Sequence, residues 1–245
     1  MLYLVVSASV FATAVVSGIL GMAGGMILMA VLILSMSVAN AMMLHGAVQA
    51  TSNGSRAWFL RGHIRWHILP PYLLGAFAAV GLFMGLLLVP HPGVVLILVG
   101  GFAWLARLSK HLRGLDITRP ITAVVCGAVV TSAQLLAGAS GPTLDVFYLN
   151  SPLSRQEIVA SKALTQAFGH VLKIGYYGWA VAVTVELPLA LFLGAMALAV
   201  AGARVGTWIL ERWNDQAFQR VSQYIILGIA TYCIAQGLWL LFFSA

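Results

Sequence analysis

The chain has 245 residues, 61% of them hydrophobic and 8% charged, with a mean hydropathy of +0.98 and a formal net charge of +7. That is too little charge to coat a soluble domain, and apolar runs of about 18 to 25 residues recur along the whole length, long enough to cross a ~30 Å hydrocarbon layer. The basic residues lie mostly in short gaps between those runs, where they orient membrane segments. With no Lys/Arg-rich arm and no recognition motif, nucleic acid is excluded as a partner, and the lipid bilayer is expected as one.

In chain order, residues 1–36 are apolar but broken by Gly18-Ile19-Leu20-Gly21-Met22-Ala23-Gly24-Gly25. They start with no basic n-region, so they read as a retained membrane segment and not a cleaved signal. Residues 40–60 form a helix with a polar stripe. Residues 68–89 and 93–107 are plain spans joined by Pro90-His91-Pro92, and a basic loop at 109–119 follows. Residues 120–150 are again apolar and broken, at Gly138-Ala139-Ser140-Gly141-Pro142. Residues 155–176 carry a second polar stripe, and 186–208 and 219–243 are the last two spans.

The order repeats: broken segment, polar helix, span, span. The expected architecture is an all-α membrane protein of two repeats, residues 1–108 and 120–245, joined by a cytoplasmic linker at 109–119. A shift of 117 residues pairs His45 with Lys162, Gln49 with Gln166, Asn53 with His170 and Arg56 with Lys173, and lays Gly21 and Gly24 on Gly138 and Gly141. At ~100° per residue, positions 45, 49, 52 and 56 share one helix face, as do 162, 166, 169 and 173.

A broken segment of thirty-odd residues is too long for one straight crossing. It is either a single crossing with an unwound middle or a hairpin that dips in and returns. With hairpins, Arg61, Arg65, the 107–119 loop, Arg155, Arg212 and Arg220 all fall on the cytoplasmic side; with single crossings, the last three move outside. Charge placement favours hairpins, and hairpins make the repeats inverted.

Backbone N–H groups freed at a glycine break survive in a membrane only inside protein or along a wet cavity. A helix starting after the break aims those groups and its positive dipole end at it. The turns containing Gly24, Gly25, Ser140 and Gly141 therefore read as anion cradles, against the simpler reading of close packing through small residues. His45, Gln49, Ser52, Asn53, Lys162, Gln166 and His170 are candidate donors on the stripes. Lys162 is the strongest, because it lies deep in its segment and acidic partners are scarce. Arg56 and Lys173 lie near segment ends, where a snorkelling cation or a gate is expected. Asp145 is a candidate partner for Lys162 when the site is empty.

Cys126 and Cys233 stand singly in apolar segments, with no CxxC and no Cys/His cluster, so no metal and no cofactor is expected. No HExxH, GxSxG or Walker-type loop is present, so the chain does not read as an enzyme or an ATP-driven pump.

The glycine-broken first segment, the run Leu44-His45-Gly46-Ala47-Val48-Gln49 continuing through Ser52-Asn53-Gly54 to Arg56, and the later Ser140-Gly141-Pro142 and Ser161-Lys162-Ala163 resemble the sulfite exporter (TauE/SafE) family of bacterial inner-membrane proteins. The resemblance covers about residues 10 to 240. It implies a multi-pass secondary transporter that exports a small sulfur oxyanion, sulfite or a sulfonate. The alternative is a membrane-embedded assembly protein without transport activity; a homo-oligomer fits either reading. A polar cavity touching Lys162 and His45 would favour transport, and a dry, filled centre would favour assembly.

Overall fold

The computed structural model describes residues 2–20, 23–108, 115–148, 150–182, 186–210 and 215–243. Expectations for Gly21, Met22, the basic run 109–113 and Arg212 lie outside the described residues, as does the side chain of Arg220. The described secondary structure is helical throughout: α1 (Leu2–Leu20), α2 (Ala23–Ser35), α3 (Val38–Phe59), α4 (Leu69–Leu86), α5 (Pro92–Leu108), α6 (Pro120–Ala137), α7 (Gly141–Tyr148), α8 (Arg155–Gly175), α9 (Leu189–Leu210) and α10 (Asp215–Phe242). Among the described residues four stretches are long and apolar enough to cross a bilayer: Trp66–Leu86, Pro120–Ala137, Leu189–Ile209 and Tyr224–Phe242. The protein is an all-α, multi-pass membrane protein.

Local sequence sets the helix starts. Ser37 caps α3, its hydroxyl accepting from the Asn40 N–H, and Ser154 caps α8 in a capping box with Glu157; each supplies an acceptor to an otherwise orphaned N–H. The two serines are themselves 117 residues apart. Pro120 opens α6, where its missing N–H costs nothing. Gly138 closes α6 at φ +72°, a left-handed conformation that a side chain would strain.

Both broken segments reverse direction at the break. The Gly24 Cα lies so close to the Thr13 carbonyl that a Cβ there would come within 2.0 Å of it, so α2 folds back along α1. After α6, the chain returns through α7 until the Phe147 carbonyl accepts from the Ile117 N–H (3.1 Å), beside the start of α6.

Helix pairing follows the 117-residue shift. α1 packs on α9, and α6, its counterpart, packs on α4, the counterpart of α9; α3 packs on α8 and α5 on α10. Small residues bring these backbones together: Gly18, Gly202 and Gly206 in the α1–α9 pair, Gly75 and Gly127 in the α4–α6 pair, Gly93, Gly100 and Gly237 in the α5–α10 pair. Such close approach replaces the hydrophobic drive that lipid does not provide. α3 and α8 run antiparallel, with His45 against Lys173 at one end and Ala57 beside Ala160 and Ala163 at the other.

The Ala57 end gathers the cations. Arg65 forms an ion pair with Glu157, its N–H donates to Ser161 (3.0 Å), and Arg204 stacks over Phe59. Trp58, Trp66, Trp104, Trp179, Trp208 and Trp239 are exposed, side chains of the type enriched where a bilayer meets water.

Adding a methyl at Gly127 would bring a Cβ within 1.9 Å of the Tyr72 carbonyl, whereas Gly81 faces open space. Gly127→Ala is therefore expected to lower stability by about 1–3 kcal/mol and Gly81→Ala to change it by less than about 0.5 kcal/mol, measured by thermal unfolding in detergent.

Candidate functional site

The midpoints of α3 and α8 cross beside the two breaks, and a polar cavity lies there. Ser17, Gly25, His45, Gln49, Asn53, Ala139, Ser140, Gly141, Gln166 and His170 line it. The cavity is small, about 20 Å³, with room for about one water. α2 and α7 begin at its wall, so free N–H groups and the positive ends of two helices converge on it.

One continuous hydrogen-bond chain holds this wall together. The Gly25 carbonyl can only accept, so the His45 nitrogen facing it, Nε2 at 2.9 Å, carries the hydrogen. That leaves Nδ1 as an acceptor in the neutral ring, and Lys173 Nζ donates to it at 3.0 Å. The same amine donates to the Gly138 carbonyl at 3.0 Å. α2, α3, α8 and the tip of the second hairpin are thereby tied through two side chains. His170 stands against His45, with ring centroids 5.4 Å apart.

Donors remain free toward the cavity. Asn53 Nδ2 donates to Gln49 Oε1 (3.3 Å), orienting the Gln49 amide so that its NH₂ faces Gly25. Ser140 Oγ and His170 Nδ1 are buried without a protein partner, an arrangement that calls for a bound polar species. Among the described residues no acidic side chain lines the cavity.

Gly25, His45, Gln49, Asn53, Ser140, Gly141, Gln166 and His170 thus meet at one place. Gly24 does not join them; it is taken up in the contact with α1. Ser52 is buried but off the wall, because the face that reaches the cavity runs through 45, 49 and 53 and not through 52. Two expectations for cations need correction. Lys162 does not line the cavity: it lies toward the other end of the α3–α8 crossing and forms an ion pair with Asp145 of α7. Lys173 does not snorkel: its side chain is fully buried, and its amine reaches inward. Arg56 also turns inward, 3.5 Å from the Ser17 carbonyl. Ser17 was not anticipated. It stands four residues before Gly21 as Gln134 stands four before Gly138, and that shared polar position is the signal the repeat alignment contained.

The family model for the sulfite exporter TauE/SafE matches residues 6–233. The chain belongs to the TauE/SafE family. It is a family of membrane transporters of sulfur anions and not of enzymes. No curated protein and no solved structure matches the chain.

Lys173→Met leaves two buried acceptors, His45 Nδ1 and the Gly138 carbonyl, without a donor, at an expected cost of roughly 1–3 kcal/mol. Combined with His45→Phe the losses are expected to be less than additive, with a coupling of about 0.5–3 kcal/mol, read from a double-mutant cycle of thermal unfolding.

Proposed function

We propose that this member of the TauE/SafE family is a secondary transporter that exports a small sulfur-containing oxyanion, sulfite or an organosulfonate, across the bacterial inner membrane. The observation that carries the reading is the donor-rich cavity where both breaks and both polar helices converge. An oxyanion offers only acceptors. Two helix N-termini, the amides of Gln49 and Gln166, the Ser140 hydroxyl and the imidazole of His170 supply the matching donors. Close helix packing alone accounts for Gly18, Gly75 and Gly127 but leaves a buried, unpartnered Ser140 hydroxyl unexplained.

A cavity with room for about one water is too small for an oxyanion of four or more heavy atoms. Loading therefore requires the hairpin tips to part. The two repeats are inverted relative to one another, and rocking of one against the other opens the cavity to each side in turn. The pairs Lys162–Asp145 and Arg56 with the Ser17 carbonyl lie toward the cation-rich end and form the barrier on that side. The cation-rich end faces the cytoplasm by the positive-inside rule. A negative interior favours exit of an anion by ~2.3 kcal/mol per charge per 100 mV.

Hydrogen bonds to a charged group contribute about 1.5–3 kcal/mol. Gln49→Ala and Gln166→Ala are each expected to lower labelled-anion flux in proteoliposomes by roughly 10- to 100-fold with folding intact; unchanged flux would remove these residues from the site. Both native cysteines are buried, so sidedness is readable with introduced ones. A cysteine at His63 is expected to react with a membrane-impermeant thiol reagent only from the cytoplasmic side, and one at His91 only from the opposite side.

A further inference from the structure

Lys173 carries a feature that anion binding alone does not require. A neutral amine has two N–H bonds, and two acceptors face this one, His45 Nδ1 and the Gly138 carbonyl, each at 3.0 Å. A proton added to Nζ makes an ammonium with a third N–H and a full charge. Among the described residues no carboxylate lies within ion-pair distance of it. Among the described residues its surroundings hold no other countercharge. α3 presents His45; α8 presents His170; the turn after α8 presents Tyr176 and Tyr177, whose hydroxyls donate to the Leu88 and Leu135 carbonyls. The described parts of α2 and α6 present no acidic side chain to it. Asp145 of α7 is held by Lys162 toward the far end of the crossing, and Glu186 is exposed before α9, its N–H on the Asn40 side chain.

From this geometry we infer that the Lys173–His45 pair is a proton-binding site loaded together with the anion, so that the carrier couples anion movement to proton movement in the same direction. The inference rests on the cavity being the anion site. An anion there sits against His45 and one residue along the chain from Gly138, and it supplies the opposite charge that the protonated pair lacks. Each ligand therefore tightens the other, reciprocally. His170, buried with Nδ1 unpartnered and 5.4 Å from His45, gives the proton a nitrogen on the cavity wall by which to reach the pair. The proton comes from water on the loading side and returns to water on the release side; only N–H bonds form and break. A singly charged anion then crosses with no net charge, and a doubly charged one still leaves with one negative charge for the membrane potential to drive.

The test uses the full chain in proteoliposomes with the potential clamped and a pH dye inside. The probes are labelled methanesulfonate, which binds no proton near neutral pH, and labelled sulfite corrected by protein-free vesicles. The expected result is about one proton moved per anion, falling to near zero in Lys173→Met and in His45→Gln while anion exchange persists at a reduced rate. A merely structural role for the pair would lower flux without changing this ratio. Anion flux through the natural chain with no change in internal pH overturns the coupling and leaves the carrier reading standing; that measurement decides even if neither variant folds. A ratio unchanged in both variants overturns the assignment to this pair. No flux of either anion overturns the carrier reading and the inference with it.

Discussion

A fully buried lysine amine bridges the Gly138 carbonyl and His45, and His45 in turn holds the Gly25 carbonyl. The rest of the site depends on this chain of contacts. Lipid offers no hydrogen bonds, so backbone freed at a break must find its partners inside the protein. Here two of those partners are side chains on the crossing helices. The requirement that makes the breaks possible also pulls both hairpin tips toward one cavity.

The antiparallel crossing of α3 and α8 gives this arrangement a second copy with different chemistry. Under the 117-residue shift the contact between positions 45 and 173 maps onto positions 162 and 56. Arg56 reaches the Ser17 carbonyl near the first tip as Lys173 reaches Gly138 at the second. Lys162 grips α7 through Asp145 as His45 grips α2 through Gly25. One end is thus a neutral imidazole and an amine behind the cavity wall, and the other an ion pair and a guanidinium. Repetition supplies the frame, and substitution within it makes the two ends unequal.

The packing around that frame is built from absence of side chain. Gly18 with Gly206, Gly75 with Val124, and Gly93 with Gly237 let helix backbones touch, so the α1–α9, α4–α6 and α5–α10 pairs are close and firm. The groove between α4, α5 and α6, lined by Ala78, Leu82, Phe102 and Leu136 with Ser132 among them, faces outward and is mostly apolar. Among the described residues the polar side chains lining the cavity come from the broken segments and the two stripes.

Much of the site was legible along the chain, because its signals recur at an offset of 117 residues. Gln49 and Gln166, Asn53 and His170, and the glycine breaks each stood out by recurring at one offset, and eight of the expected positions meet at the cavity. Lys162 and Lys173 were not legible in the same way. Both are lysines on the same stripe, and helical periodicity reports a face, not which neighbour stands opposite at each level. Asp145 lies opposite one and the Gly138 carbonyl opposite the other, and neither pairing is written in local spacing. The sequence by itself determined the membrane class, the all-helical architecture, the two glycine breaks and the recurrence of polar positions at one offset, since these follow from hydropathy, residue spacing and backbone freedom within a few residues. Only the tertiary structure decided which lysine is paired with a carboxylate and which is held by an imidazole and a carbonyl behind the cavity, because that depends on contacts between residues as far apart as 45 and 173.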